Sequence, residues 1–245
     1  MRGLFVTGTD TGVGKSVLSA ALLAAVSAAG ESVRAHKPVL TGLDDPPGAW
    51  PPDHELLGTV AAMNPEEVAP LRFGPAVSPH LAADLADETI DPAGLIARAR
   101  HALELADREN ATLIVEGVGG LLVPLAPDLS VCDLAVALGL PLLIAARPGL
   151  GTINHTLLTL RAARAAGLEV RAVVLTPWAA ETSDTTQPGQ PTSLERSNRE
   201  TIARLGQVEV EVLPPVSSPT RAALAAAAAE LPWRRWLARE SSGLA

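Results

Sequence analysis

The chain has 245 residues, 47% of them apolar, enough for one large α/β domain with a substantial core. A formal net charge of −8 argues against general nucleic-acid binding, and a single cysteine, Cys132, excludes an intrachain disulfide. No run of about 18 apolar residues suggests a membrane span, and no apolar leader precedes the first glycines, so a cytoplasmic protein without membrane partners is expected.

Leu4-Phe5-Val6 reads as a strand that enters Thr7-Gly8-Thr9-Asp10-Thr11-Gly12-Val13-Gly14-Lys15-Ser16. An Ala/Leu-rich helix over 17–29 follows and stops at Gly30. Strand, glycine-rich turn and helix make a phosphate loop, in which backbone N–H groups and the helix N-terminus hold polyphosphate oxygens. Lys15 can reach the terminal phosphates and the Ser16 hydroxyl can ligate Mg²⁺. Gly12, Val13, Gly14, Lys15, Ser16 and Val17 are therefore candidate nucleotide contacts. The strict motif places its first glycine at position 9, which is Thr9, and Gly8 stands one residue earlier. A glycine turn with a chance lysine is the plainer alternative, and the flanking strand and helix weigh against it.

Residues 33–35 read as a second strand ending at His36-Lys37-Pro38. Binding groups of open α/β sheets sit at the carboxyl ends of strands, which makes Lys37 a candidate; a solvated surface lysine is the even alternative. Residues 41–52, rich in Pro and Gly, read as a mobile loop. The loop delivers Asp53 to a helical pattern over 55–62, where Asp53 is either an N-cap or a metal ligand. Residues 63–75 read as irregular, Ser78-Pro79-His80 as a helix start, and 92–108 as a helix capped by Asp91. Residues 112–115 form a buried-strand pattern ending in Glu116-Gly117-Val118-Gly119-Gly120, where an acid suits a second Mg²⁺-associated carboxylate.

A strand over 141–146 leads through Arg147-Pro148-Gly149-Leu150-Gly151-Thr152-Ile153-Asn154-His155 into a helix ending at Gly167, with Asn154 a candidate cap. Residues 170–175 read as a strand, 176–191 as a poorly ordered polar insertion, 194–205 as a helix and 208–213 as a strand entering Pro214-Pro215. An Ala-rich helix follows. The tail over about 232–245 carries Trp233 and Trp236 and reads either as a docked helix or as a flexible end. Helices alternate with short apolar strands throughout. That predicts a single α/β domain over 1–245 of the phosphate-loop NTPase type, its mostly parallel sheet covered on both faces. The five histidines and Cys132 lack zinc-type spacing, and no G-x-S-x-G elbow occurs. The first loop is also a poor dinucleotide fingerprint.

Five segments together resemble the dethiobiotin synthetase family: 8–16, Lys37-Pro38-Val39-Leu40-Thr41-Gly42, 78–80, 116–120 and 150–155. The resemblance covers roughly the first 160 residues, and Ser197-Asn198-Arg199 and Pro214-Pro215 extend it more loosely. It implies an ATP-dependent cyclo-ligase of biotin synthesis acting on 7,8-diaminononanoate and CO₂ or bicarbonate. By the same resemblance, Lys15 holds the β/γ-phosphates, and Ser16, Asp53 and Glu116 gather Mg²⁺. Lys37 stabilises the carbamate and the γ-phosphoryl group. Thr11, Thr41, Glu116, Gly117, Val118 and Gly119 line the diamine site. Thr176, Pro177, Pro214 and Pro215 frame the nucleotide. Gly151, Thr152 and Asn154 bind the substrate carboxylate across a homodimer interface.

Three departures stand out. Ser16 replaces the usual Thr, Gly12 stands where some members carry Glu, and Thr176-Pro177 stands where many place an adenine-reading Asn. The last implies tolerance of nucleoside triphosphates other than ATP. The partition and septum-positioning ATPases share the architecture but carry a lysine where this chain has Asp10. Cobyrinate-synthase-like ligases add a glutaminase domain. A non-catalytic nucleotide-binding module would explain the first loop, but not Lys37, Asp53 and Glu116 together.

Overall fold

The computed structural model describes residues 2–46, 48–179 and 192–238. The chain begins with β1 (Gly3–Gly8), α1 (Lys15–Ala28), β2 (Val33–His36), β3 (Val39–Leu40), α2 (Asp53–Ala61), α3 (Pro65–Val68), β4 (Leu71–Arg72), α4 (Pro79–Leu85) and α5 (Pro92–Arg108). It continues with β5 (Thr112–Gly120), β6 (Pro124–Ala126), β7 (Leu129–Ser130), α6 (Val131–Leu138), β8 (Leu142–Ala146) and α7 (Thr152–Ala165). The last elements are β9 (Val170–Leu175), α8 (Ser193–Gly206), β10 (Glu209–Val212), α9 (Arg221–Ala227) and α10 (Trp233–Leu237). Six strands form one sheet in the order β10-β9-β8-β1-β5-β2, every pair parallel, as the alternation of elements predicts.

Strand alternation divides the core into two layers. Phe5, Leu113, Val115, Leu142 and Ile144 face the side covered by α5, α6, α7 and α8. Leu4, Val6, Ile114, Leu143 and Ala145 face the side covered by α1, α2, α9 and α10. The α1 helix is buried on nearly every side, because it lies between the sheet and both α2 and α9. Its Ala-rich sequence follows: small side chains let three neighbours approach.

The sequence reading needs five corrections. The strand read over 112–115 is longer, because β5 runs on to Gly120 and its ladder with β1 resumes at Gly8↔Gly120 after an irregular step. Asp53 is not an N-cap; Pro52 holds that position and Asp53 opens α2. Asn154 is not a cap either, since Gly151 in the left-handed conformation starts α7. The 63–75 stretch is not wholly irregular: Asn64 caps α3 by accepting from the Glu66 N–H, and β4 pairs with β3. The β6–β7 pair and α6, opened by a Ser130–Asp133 capping box, lie in a stretch with no sequence-level assignment.

By contrast, Asp91 caps α5 as read, accepting from the Ala93 and Gly94 N–H groups. In the tail, Trp233 and Trp236 are buried against the second core layer, and truncating either to Ala would cost about 3–5 kcal/mol. Residues 180–191, most of the expected polar insertion, and 239–245 lie outside the described residues.

Candidate active site

Strand alternation also decides which end groups meet. On β5, Ile114 faces the α1 side, so Glu116, two residues on, faces it too. On β2, Ala35 faces the same side, and Lys37 follows it by two. Both groups therefore emerge beside the N-terminus of α1, where Ser16 stands. Gly117 points the other way; a Cβ there would meet Val131 at 2.9 Å and Phe5 at 3.2 Å.

The result is a compact polar cluster. Lys37 Nζ donates to Glu116 Oε1 at 2.6 Å and pairs with Asp53 Oδ2 at 2.9 Å. The Ser16 hydroxyl donates to the same Glu116 Oε1 at 2.8 Å. Lys37 is 2% exposed and Glu116 fully buried. Burial alone would lower the Lys37 pKa, but Asp53 and Glu116 outweigh it and hold the ammonium above the ordinary lysine range. Burial likewise opposes ionisation of Asp53; Lys37, helped by Ser16, more than offsets it and keeps that carboxyl below its usual value.

Lys15 belongs to the same cavity and behaves differently. Its Nζ donates to the Asp10 carbonyl at 3.0 Å. Burial pushes its pKa down to about 8, and the charge of Lys37 adds to the effect against the pull of Glu116. The loop around it is tightly drawn. A Cβ at Gly8 would come within 2.7 Å of Val13, 2.9 Å of the Asp10 carbonyl and 3.1 Å of Lys15 Nζ, so position 8 has no room for a side chain. That contact explains a glycine one residue ahead of the strict motif.

The cluster opens onto a cavity of about 620 Å³. Of the predicted residues, Thr11, Gly12, Gly14, Lys15, Ser16, Val17, Lys37, Thr41, Asp53, Val118 and Gly119 line it. Leu40, Trp50, Val77 and Val123 add an apolar wall that the sequence reading did not identify. Glu116 lies behind the cavity wall, fully buried, and Val13, Gly117, Pro214, Pro215, Gly151, Thr152 and Asn154 are also not part of the lining. Thr176 stands just behind it, its Cγ2 2.7 Å from where a Gly14 Cβ would be. The Trp178 N–H donates to the Leu213 carbonyl at 2.8 Å, which brings the Thr176-Pro177 and Pro214-Pro215 segments together beside that end of the loop. Gly151, Thr152 and Asn154 lie at the N-terminus of α7. Asn198 fixes the turn before it, its amide donating to the carbonyls of Pro148 at 2.8 Å and Gly149 at 3.1 Å.

The donor set suits Mg²⁺. Ser16, Asp53 and Glu116 offer hard oxygen atoms, and Glu116 Oε2 is buried without a hydrogen-bond partner among the described residues. No group of three or more His, Cys, Asp and Glu that could hold a metal ion gathers among the described residues, and this site brings two carboxylates and a hydroxyl together.

Comparison with known proteins bears on this geometry. The profile of the AAA domain family matches residues 2–222. The chain is 44% identical over 210 residues to the ATP-dependent dethiobiotin synthetase BioD of Anaeromyxobacter sp. (strain Fw109-5), covering 85% of this chain and 91% of the relative. It is 36% identical over 214 residues to that of Haloferax mediterranei, covering 86% and 83%. With that of Bacillus licheniformis it shares 41% over 179 residues, covering 71% and 73%. Among solved structures, the MinC:MinD cell division protein complex of Aquifex aeolicus aligns with a TM-score of 0.50 at 15% identity, over 87% of this chain and 81% of that one. At that identity the likeness concerns the fold alone.

Proposed function

The chain belongs to the ATP-dependent dethiobiotin synthetase family, and from that premise we propose how its residues divide the reaction. It is an ATP-dependent ligase of biotin biosynthesis. The partition-ATPase alternative is not favoured, since only the fold is shared with that class.

The substrate 7,8-diaminononanoate takes up CO₂ on one amine as a carbamate. A carbamate oxygen attacks the γ-phosphorus of the nucleotide and the diphosphate leaves, giving a carbamic–phosphoric anhydride. The second amine then attacks the carbamate carbon, phosphate leaves, and the ureido ring closes. Such chemistry asks the protein for positioning and charge stabilisation. The phosphate loop from Gly12 to Val17 holds the triphosphate, with Lys15 on its β/γ end. Thr11, Thr41, Val118 and Gly119 line the diamine side with Leu40 and Val77. Lys37 follows negative charge as it passes from the carbamate to the γ-phosphoryl group. Ser16, Asp53 and Glu116 would hold Mg²⁺, which supplies charge neutralisation at the phosphates.

The observation that carries this reading is the contact of Lys37 with both Glu116 and Asp53, at the mouth of the phosphate loop, with Lys37 and Asp53 lining one cavity and Glu116 buried behind them. A simple module that binds nucleotide has no use for a buried ammonium held between two carboxylates. The test is phosphate release assayed with the diamine, bicarbonate and Mg²⁺ each omitted in turn. Release that needs all three supports the ligase assignment; release indifferent to the diamine sinks it. The same assay with ATP, CTP and GTP addresses base choice. Thr176 and Pro177 offer no amide to the base, so rates within a few-fold are expected, and a strict ATP requirement would refute that expectation.

A homodimer completes the site in this proposal. Gly151, Thr152 and Asn154 do not line their own chain's cavity, yet they sit at a helix N-terminus suited to a carboxylate. Leu122 and Leu158 are exposed and flank a hollow of about 390 Å³ that reaches Asp10 of the phosphate loop, which supports this face as the contact surface. A cytoplasmic setting accords with the pathway, and among the described residues no helix is long and apolar enough to cross a membrane.

A further inference from the structure

Arg147 is the first residue beyond β8, and β8 is the neighbour of β1 in the sheet, with Gly8 opposite Ala145. The side chain therefore starts beside the phosphate loop. Its guanidinium reaches back to the Gly12 carbonyl, donating from Nη2 at 3.0 Å and from Nε at 3.3 Å. No carboxylate pairs with Arg147 among the described residues. A surface arginine that takes a backbone carbonyl and no acid is doing something other than neutralising a neighbour.

The contact has a defined effect on the loop. In a trans peptide the C=O and the following N–H point in opposite directions. Holding the Gly12 carbonyl towards Arg147 thus turns the Val13 N–H away from Arg147. That N–H makes no hydrogen bond among the described residues, although Val13 is 3% exposed. It is a spare donor in the segment read as the triphosphate cradle. Position 12 is matched to this arrangement. Gly12 has φ +68°, and a Cβ there would come within 3.0 Å of Arg147 Nη2. The cation occupies the side of the loop where a larger residue at position 12 would project.

We propose that Arg147 is a positioning residue for the nucleoside triphosphate, clamping the Gly12 carbonyl so that the Val13 N–H faces the phosphates and placing a fixed positive charge beside them. The proposal rests on the reading of residues 12–17 as the nucleotide site. It separates Arg147 from Lys15: one orients the loop from outside, the other acts from within.

The experiment compares Arg147→Ala, Arg147→Gln and Arg147→Lys with the parent chain. Arg147→Ala should raise the nucleotide KM about tenfold while the diamine KM stays within twofold. Arg147→Lys keeps the charge without the two-pronged grip, and Arg147→Gln can keep one hydrogen bond without the charge, so both should fall between. Millimolar guanidinium ion should restore part of the nucleotide affinity of Arg147→Ala, and sodium ion at the same ionic strength should not. Because the side chain is exposed, thermal midpoints without nucleotide should agree within a few degrees. A nucleotide KM within twofold of the parent in Arg147→Ala would overturn the proposal. A loss that neither guanidinium nor lysine softens would overturn it too, by assigning a merely structural role. Equilibrium binding of a non-hydrolysable ATP analogue reads the same differences without turnover. A parent chain that binds the analogue but releases no phosphate with the diamine would therefore count against the ligase reading and leave Arg147 independently decided.

Discussion

Lys15 and Lys37 line one cavity, yet the two regions that carry them hold charge by different means. The phosphate loop is built from backbone, and its lysine has a carbonyl as its hydrogen-bond partner. The opposite wall is built from side chains on three separate segments, and its lysine is shared by two carboxylates. Burial lowers Lys15 to about 8, whereas Asp53 and Glu116 hold Lys37 above the ordinary range. The difference shows what each wall awaits. The loop keeps an ammonium that no carboxylate contacts directly, and on the proposed function an incoming triphosphate supplies its closest counter-charge. The side-chain wall is already neutralised, and on the same proposal its ammonium turns to a new anion as the carboxylates take up Mg²⁺. One half is a receptor for charge and the other a store of it.

Removing the store should have the largest effect. Lys37→Ala should lower turnover on the order of 10²- to 10³-fold with little change in nucleotide KM, because its interaction grows as charge moves to the γ-phosphoryl group. Steady-state kinetics decide this; an effect confined to KM would erase the distinction between the two walls. Next comes Glu116→Gln, which keeps the shape and removes one carboxylate. A Mg²⁺ titration should show the half-saturating concentration raised roughly 10- to 100-fold, with the circular dichroism spectrum unchanged. A normal metal profile would take Glu116 out of the site.

The smallest effect is in pH and sharpens the comparison most. Lys15 is ionised below about pH 8, whereas Lys37 stays ionised well above it. Nucleotide affinity measured by titration calorimetry should be level below pH 8 and fall roughly tenfold for the first unit above pH 9, as the free protein loses the Lys15 charge. Stability of the unliganded protein should run the other way. The unfolded chain keeps the Lys15 proton up to its ordinary value of 10.5 and the folded chain sheds it near 8. Between those limits the unfolded state binds more protons, and this group makes stability rise with pH. Affinity level through pH 10 would mean that the loop does not depend on its lysine in this way.

Much of this was legible before any coordinates. Lys15 and Ser16 belong to a local motif, and Lys37 and Glu116 stand where apolar strand patterns end, so period-two alternation alone puts them near one another. Asp53 was ambiguous because an acid opening a helix serves equally as a cap, and only the position of Pro52 and the contact with Lys37 resolve it. Glycines concealed the end of β5: the apolar strand pattern stops at Val115, although the strand runs on to Gly120, past an irregular step of the ladder with β1 where Gly119 takes a φ of +60°. Strands of two or three residues such as β6 and β7 have no periodicity to detect. Arg147 and Trp50 were invisible as site residues for a different reason. Their partners are set by which strands are neighbours and by how a proline-rich loop folds back, and no local pattern encodes either.

Around α7 the fold leaves leucines facing outward, Leu150 at 91% exposure, Leu122 at 67% and Leu158 at 57%. On the homodimer proposal these side chains make catalysis a matter of mass action. Each cavity would then be complete only while a second copy is associated, so specific activity should fall as the enzyme is diluted below its own dissociation constant. A saturating diamine, bound at the junction, should pull the halves back together and move that threshold to lower concentration.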